Sequence, residues 1–504
     1  MIDTMFSSLF AMLSSPHIMG LMLIGVFLGL IVGVTPGIGG RLSIALAIPF
    51  VFGMDMVGGA VFLLTMHAVN GTSGQISSIM FGVPGDGDDA ATVLDGYPMA
   101  KKGEAGRALG ASITASGVGG IIGAIVFAIM IPIIEPVVLA FSPAEFFLLA
   151  LLGITFIAFI SGRGNIFKGI IVGFYGMILA TVGMDPQTGT ARFAGDYLFL
   201  WDGLSLVTAV LALFAVPEMI ALGVKGGSIA AVSLEGTRYS YRQLLEGVME
   251  VPRHWWLVVR TSIIGAVIGM IPGLGSSAAS WFCYGHAVQS SKTPERFGKG
   301  AVEGVIAPET GSNSREGGSL LPTLFFGIPG SSGFAVLMGA FLILGIQPGP
   351  KMITEQLPLV WTLIWALVVG NLIAVIFLLF ICRWVAMLTF INGALLVPFI
   401  VVLVAVGSYI NEGRWENLLI LVGLSAIGYG LLRAGWPRAP FVIGLVLGVI
   451  AEKSLHTALA LWGLEFFLRP LSLVLIGLIV ATIGFAIYKT LRPSKALEES
   501  GAVP

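Results

Sequence analysis

The sequence predicts an all-α polytopic membrane protein with about 10 to 12 membrane segments. The segments form two homologous repeats, which are interpreted as inverted and which contain broken or re-entrant helices. Of its 504 residues, 56% are hydrophobic and 11% are charged, against roughly 25% charged in ordinary soluble domains. Apolar runs of about 18 to 28 residues suit membrane helices and exceed the roughly 10-residue strands of a membrane barrel. An unusual proline and glycine phrase also occurs once in each half.

The repeated phrase has two parts, and both interrupt apolar sequence. GLIVGVTPGIGG at 29–40 is echoed by GAVIGMIPGLGS at 265–276, and FGVPG at 81–85 is echoed by FGIPG at 326–330. Proline breaks helices because it lacks the backbone N–H, and glycine favours irregular conformations. Paired interruptions in corresponding halves of a membrane protein are typical of a transporter binding site.

The length of a bilayer crossing divides the chain into candidate membrane segments. In the first half they are 18–54, which is interrupted at Thr35-Pro36-Gly37, then 57–85, 107–134, 137–160, 164–183 and 203–222. In the second half they are 255–290, which is interrupted at Pro272-Gly273, then 304–345, 357–381, 388–410, 416–433, 439–455 and the unmatched run 461–487. The stretch between the halves, 225–253, is polar and charged.

These segments predict four regions along the chain. They are a first membrane repeat at 1–224, a cytoplasmic linker at 225–254, a second membrane repeat at 255–456, and an extra transmembrane helix with a cytoplasmic tail at 457–504. Basic residues concentrate in cytoplasmic loops. The loop at 51–56 has none and its counterpart at 292–299 has three, whereas 86–107 has three and its counterpart 346–356 has one. The unequal numbers of basic residues place corresponding loops on opposite sides of the membrane, which favours an inverted repeat with re-entrant hairpins. A parallel repeat is the alternative if one membrane segment is misassigned.

Composition argues against several other classes of protein. The net charge of −1 gives no reason to expect nucleic-acid binding, and Cys283 and Cys382 lack the spacing of a metal or redox motif. No nucleophile triad, zinc-protease or phosphate-loop pattern predicts an enzyme, and Asp86, Asp88 and Asp89 are interpreted as a solvated loop. Lys and Arg are absent before residue 41, so the N-terminus does not resemble a secretory signal and is expected to stay in the mature chain.

A helix that is broken inside the membrane exposes backbone groups that can bind ions. Unpaired N–H or C=O groups in lipid cost several kcal/mol each unless a ligand, an ion, water or other protein takes them up. N-terminal helix ends attract anions, and C-terminal ends attract cations. Small hydroxyl and amide side chains beside the interruptions can complete such a site.

The candidate substrate-binding residues therefore lie beside the interruptions. In the first half they are Pro36, Gly37, Gly39, Arg41, Asn70, Thr72, Ser73, Pro84 and Gly85. In the second half they are Pro272, Gly273, Gly275, Ser276, Asn313, Ser314, Arg315, Pro329, Gly330 and Ser331. No catalytic residue is predicted.

Some of these features have a plain structural alternative. The stripe Gly25-Gly29-Gly33 is typical of helix packing. Arg41 and Arg315 either contact the substrate, extend toward the membrane interface, or pair with a carboxylate such as Glu316. His67 lies in an apolar segment without metal-ligand spacing, and the default expectation is a packed, neutral imidazole.

Seven phrases together carry a resemblance to a known family. They are PGIG at 36–39, DGYPMAKKG at 95–103, PGLG at 272–275, FGKG at 297–300, APE at 307–309, FGIPG at 326–330 and QPGP at 347–350. Over residues 18–455 the chain resembles the TctA family, the large membrane subunit of the tripartite tricarboxylate transporters. Residues 311–317 and Gly40-Arg41 depart from the family's pattern, which affects the substrate rather than the class of protein.

The resemblance implies a permease subunit of a binding-protein-dependent secondary transporter in the bacterial inner membrane. It would import a carboxylate, such as citrate, tartrate or a related organic acid, together with sodium and without an organic cofactor. Its partners would be a small TctB-like membrane subunit and a periplasmic TctC-like solute-binding protein. A proton-coupled carrier of the same substrates and, less closely, an ion channel are the alternatives.

The expected mechanism places a carboxylate at the facing hairpin tips near the middle of the membrane. Sodium is expected at backbone carbonyl oxygens around residues 71–78 and 311–314, with Gly71, Ser77, Ser78, Gly311 and Ser312 as the candidate ligands. The two ions neutralise each other in a region of low dielectric, which is a physical basis for coupling. Alternating access would move a hairpin-bearing unit relative to the remaining helices.

Overall fold

The computed structural model describes residues 1–34, 39–51, 53–82, 89–161, 166–185, 188–225, 240–271, 276–387, 396–410 and 412–491. The helices before residue 226 are α1 (Ile2–Ser14), α2 (Pro16–Val34), α3 (Gly39–Val51), α4 (Met56–Phe81), α5 (Ala90–Lys101), α6 (Ala105–Leu139), α7 (Pro143–Ser161), α8 (Ile166–Ala180), α9 (Leu206–Val210) and α10 (Val216–Lys225). Those after residue 239 are α11 (Tyr241–Arg253), α12 (Trp255–Met270), α13 (Ser276–Ser290), α14 (Glu303–Phe326), α15 (Ser332–Ile343), α16 (Lys351–Thr354), α17 (Leu357–Met387), α18 (Leu396–Ile410), α19 (Glu416–Arg433), α20 (Ala439–Trp462) and α21 (Pro470–Leu491).

Short irregular elements join some of these helices. A π-helical turn, Leu211–Ala215, lies between α9 and α10, and 3₁₀ turns lie at Leu198–Leu200, Pro294–Arg296 and Gly463–Leu468. Two short strands, β1 (Gly183–Met184) and β2 (Ala191–Arg192), pair antiparallel. The predicted all-α class is confirmed.

Five helices in the described parts of the chain are long and apolar enough to cross a bilayer. They run over Pro16–Val34, Ala105–Leu139, Leu357–Cys382, Glu416–Arg433 and Pro440–Leu468. Other apolar helices, such as α12, are shorter. A lipid core requires this architecture, because a helix satisfies its backbone hydrogen bonds within itself.

The chain forms two units by internal packing. The first contains residues 1–138 and 207–429, and the second contains residues 139–206 and 430–504. Each unit combines residues from both halves of the sequence, so the units differ from the predicted repeat regions. The repeat boundaries stay a prediction.

The first unit is built around α4 and α14, which are buried along almost their whole length. Helix α2 packs along α4, and α12 packs along α14. A Cβ atom added at Gly25 would lie 2.5 Å from the Phe62 carbonyl oxygen, and one at Gly29 would lie 2.5 Å from the Met66 carbonyl oxygen. The predicted packing role of this glycine stripe is confirmed, because any side chain there would overlap the backbone of α4.

Defined caps fix both ends of α4. At its start an Asp55 carboxylate oxygen accepts a hydrogen bond from the Gly58 N–H at 2.9 Å, and the other lies 2.7 Å from His17 Nε2. The hydrogen bond from the Gly58 N–H lowers the pKa of Asp55 below its ordinary value, and the contact with His17 lowers it further. At its end Gly82 adopts φ 69°, a left-handed conformation that glycine takes without strain, and its N–H bonds the Ser78 carbonyl oxygen.

Helix α5 is a finding that the sequence interpretation missed. It packs against α13 and α14 of the second half, and its Asp95 carboxylate accepts hydrogen bonds from the Gly300 and Ala301 N–H groups, both at 2.8 Å. Tyr284 donates to the same carboxylate at 3.0 Å. A helix buried in this way needs no bilayer-length apolar run, which is why the span rule overlooked it.

From the sequence, Asp86, Asp88 and Asp89 are interpreted as a solvated loop, and this interpretation is wrong for Asp89, the one of the three that the structure describes. Asp86 and Asp88 lie outside the described residues, whereas Asp89 is 2% exposed at the start of α5. A Cβ atom added at Gly74 would overlap the Asp89 carboxylate, so this acid packs against α4.

Helix α15, which follows FGIPG, packs against α3 and α4 of the first half. This contact reciprocates that of α5, which follows the FGVPG phrase at 81–85 and packs against the second half. Each phrase therefore leads into a helix that crosses to the other half. The exchange brings α4 and α14 into contact within the first unit.

Helix α11 occupies the second part of the predicted linker 225–254 and presents three faces. Its packed face holds Leu244, Gly247 and Val251, its exposed apolar face Tyr241, Leu245 and Met249, and its charged face Arg242, Glu246 and Arg253. Exposed Trp255 and Trp256 follow directly. One apolar and one charged exposed face, with tryptophans beside them, are typical of a helix that lies in the membrane interface.

The second unit is formed by α7, α8, α20 and α21, with the β-hairpin. Glycines allow α8 and α20 to touch, because a Cβ atom at Gly176 would overlap the Phe441 backbone. The buried Glu145 carboxylate accepts hydrogen bonds from Arg469 at 3.1 Å and from Ser472 at 3.0 Å. This pairing compensates the charge of Glu145 within the unit.

Substitution at Gly29 is expected to destabilise the first unit. Gly29→Val places atoms against the Met66 backbone, and overpacking of this kind costs about 1–3 kcal/mol. Gly20→Val on the same helix is the matched control, because no described atom beyond its own helix turn lies within 4 Å of that Cβ position. Thermal unfolding followed by a dye that reacts with newly exposed thiols, such as the buried Cys283, should give a lower Tm for Gly29→Val alone. Equal Tm values for the two variants would contradict the packing assignment.

The interfacial position of α11 predicts different environments for adjacent faces. Spin labels at Leu245→Cys and Arg242→Cys, in a chain whose two native cysteines are replaced by alanine, report collisions with apolar oxygen and with a water-soluble nickel chelate. The label at 245 is expected to collide more often with oxygen, and the label at 242 is expected to collide more often with the chelate. Equal access of the chelate to both labels would show that the apolar face is in water.

Candidate functional site

One face of α4 is polar halfway along an otherwise apolar, buried helix. His67, Asn70 and Gly71 have the spacing that places residues on one side of a helix. His67 and Asn70 keep 7% and 5% exposure, whereas Val69 and Ser73 beside them have none. Among the described atoms beyond its own helix turn, none lies within 4 Å of the position that a Gly71 Cβ would take. This face therefore borders a narrow open space.

A matching face lies on α14. Ser312, Arg315 and Glu316 have the same spacing and keep 9%, 3% and 5% exposure, whereas Ser314 between them has none. The two faces meet where His67 Nε2 lies 3.2 Å from a Glu316 carboxylate oxygen. We refer to the space bordered by His67, Asn70, Gly71, Ser312, Arg315 and Glu316 as the polar cleft.

The charged groups of the polar cleft form one cluster. Arg315 Nη2 donates a hydrogen bond to Glu316 Oε1, while the other carboxylate oxygen faces His67. Pairing of Arg315 with Glu316 was one of the alternatives left open by the sequence. A partner for His67 was not expected, because Glu316 is far away along the chain and only the fold brings the two residues together. Polar groups at such depth are expensive to bury and are usually functional.

The FGIPG phrase ends α14 and begins α15 beside the cleft. Gly327 takes a left-handed conformation with φ 65°, and Gly330 N–H donates to Thr323 Oγ1 at 3.3 Å. Ser331 caps α15, since its hydroxyl oxygen accepts a hydrogen bond from the Phe334 N–H at 3.3 Å. A Cβ atom at Gly333 would lie 2.5 Å from the His67 ring. The N-terminal end of α15, which favours anions, therefore lies at the polar cleft.

A buried amide network lies beside the cleft and joins four helices. Asn313 Nδ2 of α14 lies 2.9 Å from the Ser116 carbonyl oxygen of α6 and 2.7 Å from Asn371 Oδ1 of α17. It also lies 3.2 Å from Thr72 Oγ1 of α4, and the Thr72 hydroxyl is 3.1 Å from that of Ser116. Asn313 Oδ1 has no hydrogen-bond partner among the described atoms. The structure thus brings together Thr72 and Asn313, two predicted site residues from different halves.

Two other predicted residues face helix contacts rather than the cleft. Ser73 Oγ donates toward the Gly29 carbonyl oxygen of α2 at 3.4 Å and to its own helix at Asn70. Ser314 Oγ donates to the Gly311 carbonyl oxygen at 3.2 Å, and a Cβ atom at Gly265 of α12 would overlap it. Both hydroxyls fill the close approach between paired helices.

Several predicted site residues have no described side chain. Pro36, Gly37, Pro84, Gly85, Pro272, Gly273 and Gly275 lie outside the described residues. Gly39, Arg41 and Ser276 begin α3 and α13, and their surroundings also lie outside the description. Of the repeated interruptions, FGIPG with Pro329, Gly330 and Ser331 is the one whose path is described.

The residues predicted to hold sodium have different surroundings. Gly71 and Ser312 border the polar cleft, whereas Gly311 packs so closely on α13 that a Cβ atom would overlap Cys283 Sγ. Ser77 Oγ donates to the Gly74 carbonyl oxygen at 2.8 Å, and the buried Ser78 hydroxyl has no partner among the described atoms. The described residues contain no group of three or more His, Cys, Asp or Glu that would hold a metal. Sodium, as a hard cation, takes carbonyl and hydroxyl oxygens instead.

Sequence reasoning missed three residues that complete the site. Glu316 entered only as a possible partner of Arg315, and Ser116 and Asn371 were not considered. Asn371 could have been recognised from the sequence, because it is an amide in the apolar run 357–381. Ser116 could not have been recognised in this way, because its neighbours are small residues typical of helix packing.

Comparisons with known proteins identify the family to which the chain belongs. A family model described as "Tripartite tricarboxylate transporter TctA family" matches residues 19–443. The chain is 33% identical over 486 residues to an uncharacterized 52.8 kDa protein in the TAR-I ttuC' 3'region of Agrobacterium vitis, which covers 94% of this chain and 93% of that protein. It is 36% identical over 236 residues to an uncharacterized protein in the TAR-II ttuC' 3'region of the same organism, which covers 46% of this chain and 97% of that protein. No solved structure matches the chain significantly.

The family match spans the polar cleft, the amide network and the described FGIPG turn. It also spans the long apolar helices α6, α17 and α19 and most of α2. The resemblance drawn from the sequence phrases is confirmed: the chain is a membrane protein that belongs to the TctA family of tripartite tricarboxylate transporters.

Proposed function

We propose that the chain is the permease subunit of a binding-protein-dependent secondary transporter that imports a carboxylate with sodium. The substrate is a tricarboxylate or a related organic acid. The chain lies in the bacterial inner membrane, where it works with a small TctB-like membrane subunit and a periplasmic TctC-like solute-binding protein. The observation that carries the proposal is the placement of Arg315 in a polar cleft between two buried helices, where the N-terminal end of α15 contacts His67.

These groups suit recognition of an anion. A guanidinium and a carboxylate form paired hydrogen bonds, and such charge-assisted bonds are roughly twice as strong as neutral ones. The α15 end adds a favourable potential from its free N–H groups. Asn70 and Ser312 supply neutral donors for further substrate oxygens. A carboxylate therefore finds both charge and hydrogen bonds in the cleft.

Sodium is proposed to bind at oxygens next to the anion. Asn313 Oδ1 has no hydrogen-bond partner among the described atoms, and Ser312 and Gly71 border the cleft. Amide, hydroxyl and carbonyl oxygens of this kind suit a hard cation. A cation beside the anion reduces the net charge that must be carried through a low dielectric, so each ion favours binding of the other. Tight packing at Gly311 makes the Gly71 side of the cleft the better place for this site.

The inverted repeat with 10 to 12 membrane segments belongs to the same proposal. Its support is the reciprocal packing of α5 and α15, in which the helix after each phrase contacts the other half. A two-fold relation in the membrane plane would produce such an exchange. Alternating access would then expose the polar cleft to each side in turn.

A proton-coupled carrier is a second candidate that one observation favours. His67 and Glu316 face each other at 3.2 Å in the cleft, and such a pair can take up and release a proton. Sodium and protons bind to different groups of the protein. Sodium-coupled and proton-coupled uptake therefore respond differently when sodium is replaced by another cation.

Loss of the Arg315 charge is expected to weaken transport through substrate affinity. Arg315→Gln, compared with wild type at equal membrane expression, should raise the KM for citrate or tartrate uptake at least about tenfold, because a hydrogen bond between charged groups contributes about 1.5–3 kcal/mol. Arg242→Gln is the matched control, since it removes the same charge from the exposed face of α11. An unchanged KM for Arg315→Gln would remove the polar cleft as the substrate site.

Replacement of sodium by choline at fixed pH is expected to abolish saturable uptake. Asn313→Ala should raise the sodium concentration for half-maximal uptake several-fold, because it removes the oxygen proposed as a ligand and loosens the amide network. The measurement is initial uptake by cells that contain all three subunits. Uptake that persists in choline and collapses with a protonophore would replace the sodium proposal with the proton-coupled one.

A further inference from the structure

One nitrogen of the amide network is surrounded by more oxygens than it can bond. Asn313 Nδ2 lies 2.7 Å from Asn371 Oδ1, 2.9 Å from the Ser116 carbonyl oxygen, 3.1 Å from Ser116 Oγ and 3.2 Å from Thr72 Oγ1. An amide nitrogen carries two hydrogens, so two of these four oxygens at most receive a well-directed hydrogen bond. Oxygens that converge on one point suit a positive ion better than they suit an amide.

The other end of the same amide lacks a partner. Asn313 is 4% exposed, and its Oδ1 has no hydrogen-bond partner among the described atoms. A turn of the amide would exchange its two ends, and Oδ1 would then face the Ser116 carbonyl oxygen and Asn371 Oδ1, which cannot donate a hydrogen bond. The Asn371 amide is fixed in direction, because its Nδ2 donates to the Leu367 carbonyl oxygen at 2.8 Å. Both orientations of the Asn313 amide therefore leave buried polar atoms unsatisfied, which costs free energy.

We propose that the oxygens of the amide network bind the sodium ion, and that the Asn313 amide turns to add its own oxygen when the ion enters. The ligands are Thr72 Oγ1, the Ser116 carbonyl oxygen, Ser116 Oγ, Asn371 Oδ1 and Asn313 Oδ1. The proposal rests on the proposed function and assigns two further residues, Ser116 and Asn371, to its cation. A bound ion removes the mismatch, because every oxygen that meets at this point then faces a positive charge.

The chemistry of the network selects a monovalent metal ion. Its four side chains are hydroxyls and amides without charge, and none is more than 4% exposed. A divalent ion loses more hydration on entering such surroundings, and its sites in proteins depend on carboxylates. A proton finds no side chain here that titrates near neutral pH. The network thus differs from the contact between His67 and Glu316, which suits a proton.

The position of the network explains how the cation and the substrate would affect each other. Asn313 directly follows Ser312, which borders the polar cleft. A positive ion in the network attracts a carboxylate into the cleft without occupying it, and a bound carboxylate strengthens binding of the ion by the same factor. The ligands belong to α4, α6, α14 and α17, so a bound ion also links four helices and stabilises the folded chain.

The test measures sodium binding through thermal unfolding of the purified chain in nanodiscs, with choline replacing sodium at constant ionic strength. An ion that binds only the folded state raises the Tm with its concentration, so a concentration series gives its dissociation constant. Asn371→Ala is expected to raise this constant about tenfold, the size of effect that a hydrogen bond to a charged group has. Ser116→Ala, which keeps its carbonyl oxygen, should raise it several-fold.

Ser112→Ala is the matched control for Ser116→Ala. Ser112 is equally buried one turn earlier on α6, and its hydroxyl has no hydrogen-bond partner among the described atoms. The same change of side chain there should alter the dissociation constant of sodium less than about twofold.

A purely structural role of the network gives a different result. Lost packing or hydrogen bonds would lower the Tm equally in sodium and in choline, whereas a lost ligand reduces the rise in Tm that sodium causes. Should Asn371→Ala fail to fold, Asn371→Asp keeps an oxygen and adds a charge, and Ca²⁺ is expected to raise its Tm but not that of the wild type. An undiminished response to sodium in either folded alanine variant, or a wild-type response to both ions in Asn371→Asp, overturns the proposal.

Two outcomes separate this inference from the proposed function. If sodium raises the Tm of the wild type and of both alanine variants equally, the sodium-coupled transporter stands and the assignment of Ser116 and Asn371 falls. If sodium has no effect on the wild type, with or without citrate, and uptake by the assembled transporter continues in choline, sodium coupling falls and the proposed ion site falls with it.

Discussion

Two polar helices held in an apolar bundle are the constraint on which the first unit depends. Backbone and side-chain polar groups in such surroundings must find partners within the protein, because lipid offers none. Helices α4 and α14 meet part of this demand together, because Thr72 and Asn313 share one network and His67 and Glu316 share one contact. Neither helix satisfies its polar side chains alone, so the pairing of α4 with α14 is required by the residues that each helix carries.

Glycine makes this pairing sterically feasible. Helices α2 and α12 approach α4 and α14 closely enough that a methyl group at Gly29 or Gly265 would strike backbone. Close backbone contact increases dispersion attraction in a setting where the hydrophobic effect does not drive helices together. The outer helices therefore hold α4 and α14 in place through small residues, which leaves the inward faces free for polar groups.

The sequence predicted the class of fold, the role of the glycine stripe and the family, because each depends on local pattern. It also marked Thr72, Asn313 and Arg315, since polar residues in apolar runs are conspicuous. Helix α5 and the partner of His67 were missed for a different reason. Residues 90–101 are buried by contacts with the other half, and His67 meets a carboxylate from far along the chain, so no local pattern in either segment reports the neighbour.

Adjacent faces of α14 differ in how completely their polar atoms find hydrogen-bond partners, and the proposed carrier would use both. The Asn313 amide nitrogen has several acceptors within reach on three other helices, which favours one fixed arrangement of the bundle. The neighbouring face, with Ser312 and Glu316, keeps a small exposed fraction and borders open space at Gly71. In the proposed transporter, a rigid network beside an incompletely filled cleft would let a ligand exchange partners in the cleft without disturbing the helix pairing. A one-residue step around α14 thus separates the amide network that joins the helices from the face that borders the cleft.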